Sequence, residues 1–250
     1  MISKNKIKHL RQFQYKKYRD EHSVFFIEGS KMVQQALSSS CEVLDVVATE
    51  QWIFCNKHLL SHVRVHVAEQ ADISKISQLK HPSDVWALLA QNSKVEKCME
   101  SISGLVLALD EIQDPGNMGT IMRIADWFGV QGILASYNTV DCYNPKVVQA
   151  SMGAVFRVPV CYVDLPTTLS TLSLPVLGAG LEGNNVFAEN LPNNFVLVMG
   201  NEGKGISLPV AKHIQSFVHI PGINTGMESL NVGVATGILC AEYARQSMNR

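Results

Sequence analysis

The sequence predicts an α/β protein with two domains. Short apolar runs alternate with helix-like stretches along most of the chain, which is the pattern of strands and helices packed in layers. One polar stretch, QNSKVEKCMES at residues 91–101, interrupts this alternation and is the best candidate for a linker. At 250 residues, with 46% hydrophobic and 17% charged residues, the chain can form two hydrophobic cores of ordinary size.

The first predicted domain, residues 1–95, starts with a basic helix and continues as a small α/β sandwich. Its strand-like runs are short and rich in β-branched or aromatic residues, and helix-like stretches separate them. In order, the segments are VFFIEG (24–29), SKMVQQAL (30–37), EVLDVVAT (42–49), VRVHVA (63–68), ISKISQL (73–79) and DVWALLA (84–90).

The second predicted domain, residues 104–250, repeats the alternation with runs typical of short buried strands. These runs are GLVLALDEI (104–112), QGILASY (131–137), PVLGAGL (175–181), FVLVMG (195–200) and SFVHIP (216–221). The helical stretches between and after them are TIMRIADWF (120–128), PKVVQASM (145–152), LPVAKHI (208–214) and a last helix that follows Ser229.

Several functional classes are disfavoured by composition. No apolar run reaches the roughly 18 residues that cross a bilayer, and the amino terminus MISKNKIKHL lacks the apolar segment of a secretory signal. We therefore expect a cytoplasmic protein that does not bind membranes. The six cysteines are scattered without a CxxC pair or a histidine cluster, so we expect reduced thiols and no metal site.

The amino-terminal charge differs from that of the whole chain, whose formal net charge is −1. Residues 1–31 contain eight Lys and Arg against three Asp and Glu, and Phe13, Tyr15 and Tyr18 lie among these cations. Such a mixture suits phosphate contacts and stacking on unpaired bases. A solvated amphipathic helix explains it equally well.

Two glycine-rich loops suggest ligands. GAGLEG (178–183) matches the dinucleotide fingerprint, but NNVFAENLPNN follows it where that fingerprint requires a helix, which argues against a nicotinamide enzyme. The loop NEGKGIS (201–207) directly follows the predicted strand that ends at Gly200, so its backbone can approach a ligand closely. Because Glu202 repels anions, a ligand with hydroxyl or amino donors or positive charge fits this loop better than a phosphate.

Polar side chains also interrupt two predicted helices. Arg123 lies among residues that favour burial, so we expect its guanidinium to be paired, either with a carboxylate of the protein or with a bound phosphate. In ESLNVGVATGIL (228–239), Glu228, Ser229 and Asn231 open an apolar run and need hydrogen-bond partners. Ser229 or Asn231 can cap this helix.

Taken together, NMGTIMRIADWFG (117–129), LVMGNEGKGIS (197–207) and HIP…ESLNVGVATGI (219–238) resemble the SpoU (TrmH) family of RNA ribose 2′-O-methyltransferases, in the SPOUT superfamily. The resemblance covers residues 104–250, and FFIEGSKMVQQAL (25–37) resembles the family's substrate-binding domain, which is related to ribosomal protein L30e. It implies a carboxy-terminal SPOUT domain with a deep trefoil knot, S-adenosylmethionine as cofactor, a homodimer and an RNA substrate.

Residue roles follow from the same resemblance. Positions that line the cofactor pocket in the family are Gly200, Ile220 and Leu230, and the catalytic positions are Arg123, Glu202, Ser229 and Asn231. Asn117 and Arg123 stand where the family contacts RNA, and no metal is implied. The loop GINTGM (222–227) is about one residue longer than the family's common IPMxGxxES spacing, so the resemblance does not fix the path that follows Ile220.

These matches predict 2′-O-methylation of structured RNA, with 23S ribosomal RNA favoured over transfer RNA. A guanidinium stays protonated in proteins, so Arg123 is expected to hold the neighbouring phosphate and stabilise oxyanion charge, while phosphate, Ser229 or water takes the proton. A transfer RNA methyltransferase and a non-catalytic RNA-binding module of the same fold are the alternatives.

Overall fold

The computed structural model describes residues 1–91, 104–223 and 229–248. These residues form two compact units, one made of residues 1–91 and 143–156 and the other of the remaining described residues. Beyond Gln91 the predicted linker lies outside the described residues, so the predicted domain limits at 95 and 104 stay predictions.

The amino-terminal unit is built on a four-stranded sheet with the order β1-β4-β2-β3. The β2–β3 pair is parallel, and β4 runs antiparallel to β1 and β2. The strands are β1 Val24–Glu28, β2 Val43–Ala48, β3 Arg64–Val67 and β4 Val85–Ala90. The first five helices are α1 Lys4–Arg11, α2 Lys16–His22, α3 Ser30–Leu37, α4 Glu50–Cys55 and α5 Gln70–Ile73.

Apolar residues at helical spacing attach α1 to this sheet. Ile7 and Leu10 lie on one side of α1, and both are buried with Phe13 in the core of the unit. In the same core the rings of Phe26 and Trp86 stack with centroids 5.3 Å apart. The predicted small α/β sandwich is therefore present, and the segment ISKISQL (73–79) begins where the short helix α5 ends, at Ile73.

The second unit contains a six-stranded sheet with the order β10-β8-β9-β5-β6-β7, and every pair in it is parallel. Its strands are β5 Leu105–Leu109, β6 Ile133–Ser136, β7 Val160–Val163, β8 Val176–Asn185, β9 Phe195–Met199 and β10 Ser216–His219. The helices are α6 Pro115–Trp127, α8 Leu165–Thr171, α9 Leu208–Ala211 and α10 Val232–Met248, while α7 Pro145–Ser151 belongs to the first unit.

Two parts of this architecture are absent from the sequence interpretation. The strand β7 and the helix α8 are short and follow each other directly, so neither gives a long periodic signal. The segment around α7 packs with the amino-terminal unit, where the ring centroids of Phe25 and Tyr143 are 4.7 Å apart. Periodicity reports burial, but it does not say which core buries a helix.

The GAGLEG stretch lies within β8 and does not start a helix. A side chain at Gly178 would place Cβ 2.7 Å from the ring of Phe217 in β10, and a Cβ at Gly183 would overlap the Phe217 backbone. These glycines therefore allow β10 to approach β8 closely. The rejection of a dinucleotide fingerprint at this stretch is confirmed.

The expectation that the cysteines are reduced thiols is met in part. Cys41, Cys55, Cys142 and Cys240 form no disulfide, whereas Cys161 is disulfide-bonded. The expectation of reduced thiols is therefore wrong for Cys161, because sequence spacing does not show which thiols meet. Among the described helices, none combines the length and the apolarity that a bilayer span requires.

Asp45 in β2 joins α1 to the sheet through a buried carboxylate. The residue is 4% exposed and accepts hydrogen bonds from Lys6 Nζ at 2.9 Å and His66 Nε2 at 2.6 Å. Burial by itself raises the pKa of this carboxyl, but the hydrogen bonds from His66 and Lys6 outweigh burial, and the pKa lies below the usual 3.8. The charged form is therefore the one that the fold stabilises.

Replacing Asp45 with Ala should lower the free energy of unfolding by about 2 kcal/mol at pH 7, since two donors lose a charged acceptor. The exposed pair Lys16–Asp20 is the control, because Asp20→Ala should change stability by less than about 1 kcal/mol. Urea titrations followed by circular dichroism measure both.

The same contribution should depend on pH in a defined direction. Because the pKa of Asp45 is lower in the folded protein than in the unfolded chain, the contribution is fully present above pH 3.8 and is lost as the pH falls through the folded-state pKa. The difference in the free energy of unfolding between wild type and Asp45→Ala should therefore become smaller as the pH falls below 3.8. The same difference at neutral and at acidic pH would contradict this role.

Candidate functional site

Three loops at the carboxyl edge of the parallel sheet carry the predicted polar residues. Asn117 lies in the first turn of α6, which follows β5, and Glu202 lies in the loop after β9. Asn231 directly precedes α10 and follows β10 in the chain. Because parallel strands end at one edge, residues far apart in sequence can meet there, and ligand sites in such sheets lie at this edge.

The side chains of these three residues form one hydrogen-bonded network, called here the Asn117 network. Asn117 Nδ2 donates to Glu202 Oε1 at 2.9 Å, and Asn117 Oδ1 accepts from Asn231 Nδ2 at 2.9 Å. The sequence indicated each residue separately, and the structure brings them together. The network fixes the three loops relative to one another.

Local caps set the helix ends at this network. Asp114 Oδ1 accepts from the backbone N–H of Asn117 at 2.8 Å, and Pro115 occupies the first helical position of α6. Asn231 Oδ1 accepts from the backbone N–H groups of Gly233 and Val234 at 2.9 and 3.3 Å. The predicted cap of the last helix is therefore confirmed for Asn231, which caps α10 and holds Asn117 at once.

The loop after β9 is a tight structure organised by Asn201. Its backbone forms a bridge to Gly205, and its Oδ1 accepts from the N–H groups of Gly203 and Lys204 at 3.0 Å each. Its Nδ2 donates to the carbonyl of Glu111 at 2.8 Å. Glu202 is thus held at the exposed tip of a loop with a fixed backbone.

Gly200 leads into this loop and leaves no room for a side chain. A Cβ there would overlap the backbone of Gly205 and the nitrogen of Ile206. The glycine is therefore needed so that the loop can fold back over the end of β9.

Arg123 is exposed on α6, and within the described residues no carboxylate pairs with it. The expectation that its neighbours would bury it is wrong, because Ile121, Met122 and Ala125 lie on the buried side of α6 while Arg123 lies on the opposite side. Of the two partners considered from the sequence, the protein carboxylate is absent from the part of the chain that the structure describes. The guanidinium is therefore available for an external anion.

The remaining predicted residues lie near the ends of β10 and α10. Ile220 is half-buried directly after β10, and Leu230 is 46% exposed beside Asn231. Ser229 is exposed and makes no hydrogen bond to another described residue. Glu228 and most of the loop at 222–227 lie outside the described residues.

The small residues of α10 allow close packing on α6. A Cβ at Gly233 would lie 3.1 Å from the methyl group of Thr120, which is tighter than ordinary van der Waals contact. Asn117 lies in the first turn of α6 and Asn231 lies directly before α10, so close packing of the two helices is what lets their amides meet. Gly233 is therefore a packing residue between α10 and α6.

Sequence reasoning missed Asp114, Asn201 and Glu111 as parts of the site. Asp followed by Pro is a recognisable start of a helix, so the cap was detectable. The other two act through loop hydrogen bonds, and Glu111 adopts a positive φ of 59°, which no periodicity reveals. Among the described residues, no group of His, Cys, Asp and Glu is arranged to hold a metal ion.

Replacing Gly200 with Ala should destabilise the loop by about 1–3 kcal/mol or more, because the added methyl group overlaps backbone that cannot move freely. Gly203→Ala is the matched control in the same loop, since its Cβ would come no nearer than 3.8 Å to another atom, Asn201 Oδ1. Thermal unfolding measures both variants. A Gly200→Ala protein as stable as Gly203→Ala would mean that the loop does not need this glycine.

Comparison with known proteins assigns a family to both parts of the chain. Residues 104–241 match the SpoU rRNA Methylase family, and residues 4–87 match the MRM3-like substrate binding domain. The 23S rRNA (guanosine(2553)-2'-O)-methyltransferase RlmP of Bacillus subtilis is 28% identical over 239 residues, which cover 94% of each protein. RlmB of Neisseria meningitidis serogroup B, a 23S rRNA (guanosine-2'-O-)-methyltransferase, is 32% identical over 195 residues, 74% of this chain and 78% of the relative.

Solved structures agree with these matches. The AdoMet-bound rRNA methyltransferase from Sinorhizobium meliloti has a TM-score of 0.85 and 29% sequence identity, over 98% of this chain and 96% of that one. The fold class and the family resemblance are thereby confirmed. Since the methylase match alone spans more than half of the sequence, the protein belongs to the SpoU rRNA methylase family.

Proposed function

We propose that this protein methylates the 2′-hydroxyl of a ribose in structured RNA, with S-adenosylmethionine as methyl donor and 23S ribosomal RNA as substrate. The observation that carries the proposal is the Asn117 network, which fixes the site loops of a SpoU family member whose Arg123 has no carboxylate partner within the described residues. The named activities of RlmP and RlmB on 23S rRNA support the choice of substrate.

The residues at the carboxyl edge fit this cofactor. Glu202 is an exposed carboxylate on a fixed loop, which suits a ligand with a positive sulfonium and an amino group. Leu230 and Ile220 offer apolar surface for an adenine, and Gly200 directly follows the end of β9. We propose these three residues as the cofactor contacts, with Gly200 making its contact through its backbone. When bound, the cofactor supplies an electrophilic methyl group, so positioning of the ribose is the main task left to the protein.

Arg123 and Asn117 are proposed to position the RNA. The exposed guanidinium of Arg123 can hold the phosphate next to the target ribose with two parallel hydrogen bonds. From the same place it can stabilise the negative charge that develops on the ribose oxygen. Because it stays protonated, it does not remove the proton from the ribose hydroxyl.

The proton of the ribose hydroxyl therefore needs another acceptor. Ser229 Oγ is exposed and makes no hydrogen bond to another described residue, so it can accept a hydrogen bond from the ribose hydroxyl. As the ribose proton moves to Ser229 Oγ, the serine passes its own proton to a water or to the neighbouring phosphate. Asn231 and Glu202 keep their places through the Asn117 network and hold the ribose and the cofactor loop. The proposed catalytic set therefore consists of four residues, Arg123, Ser229, Asn231 and Glu202.

Three further properties are proposed from family membership. The region after β9 forms the deep trefoil knot of SPOUT domains, the protein is a homodimer, and it acts in the cytoplasm. The large exposed side chains of Trp127 on α6 and Val234 on α10, 84% and 52% exposed, offer the apolar surface that a second copy would cover. The domain limits proposed from sequence, 1–95 and 104–250, are retained.

Ligand binding and methylation give the direct test of the function. S-adenosylmethionine and its demethylated product should raise the melting temperature of the purified protein, while NAD should not, because only a bound ligand stabilises the fold. Ribose-methylation mapping of RNA from cells with and without the gene should then identify one 23S rRNA position. A protein that binds neither methyl donor nor product would instead be a non-catalytic RNA-binding module.

Arg123→Ala should lower the rate of methyl transfer about 100-fold or more, since it removes charge stabilisation at the reacting oxygen. Calorimetric binding of S-adenosylmethionine should stay close to wild type. Lys212→Ala, which removes another exposed cation of the same unit, should leave both unchanged. Parallel loss of transfer and cofactor binding in Arg123→Ala would show that Arg123 supports the structure instead.

A further inference from the structure

The first 22 residues form a helical hairpin, α1 and α2 with a short 3-10 turn at Gln12–Gln14 between them, called here the basic hairpin. Of its seven Lys and Arg residues, three already interact with other groups of the protein or are buried. Lys6 binds Asp45, Lys16 binds Asp20, and Arg19 is 2% exposed. The other four are exposed and form no ion pair with any described residue, namely Lys4, Lys8, Arg11 and Lys17.

Three of these free cations form a stripe on α1. Lys4, Lys8 and Arg11 are spaced by four and three residues, so they lie on one side of the helix. Ile7 and Leu10 take another side, where they anchor α1 in the core, and the Lys6–Asp45 pair ties the same helix to β2. The stripe is therefore held on a fixed support and faces solvent.

Tyr15 stands at the turn of the basic hairpin with its ring exposed and its backbone fixed. The residue is 65% exposed. Its N–H donates to the carbonyl of Gln12 at 3.0 Å, and its own carbonyl accepts from the N–H groups of Tyr18 and Arg19 at 3.2 and 3.3 Å. A ring presented in this way loses little conformational entropy when a partner stacks on it.

Arg19 holds the backbone of this turn in place from the buried side. Its Nη1 donates to the carbonyls of Phe13 and Gln14, at 3.2 and 2.9 Å, which are the two residues just before Tyr15. This cation therefore shapes the surface and does not belong to it. A count of charges in the sequence does not distinguish this buried cation from the exposed ones.

The chemistry of the surface selects RNA as the partner. Free cations at helical spacing bind phosphates, and an exposed aromatic ring beside them stacks on an unpaired base. An anionic membrane would also attract the cations, but Ile7 and Leu10 are buried, so α1 has no apolar face left to insert. RNA with an unpaired nucleotide can bind the cations through its phosphates and stack its base on the ring of Tyr15.

We propose that the basic hairpin is an RNA-binding surface, in which Lys4, Lys8, Arg11 and Lys17 contact phosphates and the ring of Tyr15 stacks on an unpaired base. The proposal rests on the proposed function, since it says how the substrate is held. It does not depend on the methyl-transfer step, and RNA binding can be measured without it.

The salt dependence of binding to an oligouridylate of about 20 nucleotides tests the cations. Lys8→Ala with Arg11→Ala should reduce the slope of log affinity against log salt by about 1.4, because each phosphate contact to a single strand contributes about 0.7. Lys57→Ala with Lys80→Ala removes the same charge from exposed positions of the same unit and should leave the slope unchanged. Equal slopes in the two double variants would overturn the proposal.

Aromatic variants test the stacking. Tyr15→Ala should weaken binding about tenfold, while Tyr15→Phe should bind like wild type because stacking needs only the ring. Phe54→Ala is the control, since Phe54 is 83% exposed in the same unit. Equal effects of Tyr15→Ala and Phe54→Ala would also contradict the proposal.

A methyl-transfer assay with 23S rRNA distinguishes failure of the hairpin proposal from failure of the proposed function. If wild type methylates RNA but the hairpin variants bind like their controls, the hairpin proposal fails and the proposed function stands. If wild type binds RNA through the hairpin and transfers no methyl group, the proposed function fails and the hairpin proposal stands.

Discussion

The Asn117 network is the interaction on which the arrangement of the site depends. Asn117 donates through Nδ2 to Glu202 and accepts through Oδ1 from Asn231, and a side-chain amide offers a donor and an acceptor in one group. A carboxylate in its place would face Glu202 with like charge, and an aliphatic residue would remove one hydrogen bond from each partner. The chemistry of this one position therefore explains why three loops of different origin keep one geometry.

This arrangement also separates the two charges of the site. Glu202 already accepts hydrogen bonds from Asn117 and, more weakly at 3.4 Å, from the backbone N–H of Asp114. Both donors are neutral groups, so the negative charge of this carboxylate stays available for a cationic ligand. Arg123 can remain exposed on α6 because no described carboxylate competes for it, which matches a role that requires an external anion.

Much of the fold could be predicted from the sequence, since buried strands such as FVLVM and capped helices such as α6 carry strong local signals. The site could be predicted only as separate residues, because a hydrogen bond between Asn117 and Asn231 joins positions 114 residues apart. Arg123 was misjudged because burial was inferred from its sequence neighbours and not from its side of the helix. Asn201 was not predicted because its side chain acts through hydrogen bonds within a loop, which leave no periodic pattern in the sequence.

The separation in sequence of the network's members has a consequence for biosynthesis. Glu202 and Asn231 lie 85 and 114 residues after Asn117, so the network closes across most of the second unit. Contacts of such long range form slowly, and domains generally fold as units during synthesis. The nascent chain can fold its amino-terminal sheet before α10 leaves the ribosome, but it has no complete site until then. Competence for catalysis therefore arises only after Asn231 and α10 have been synthesised.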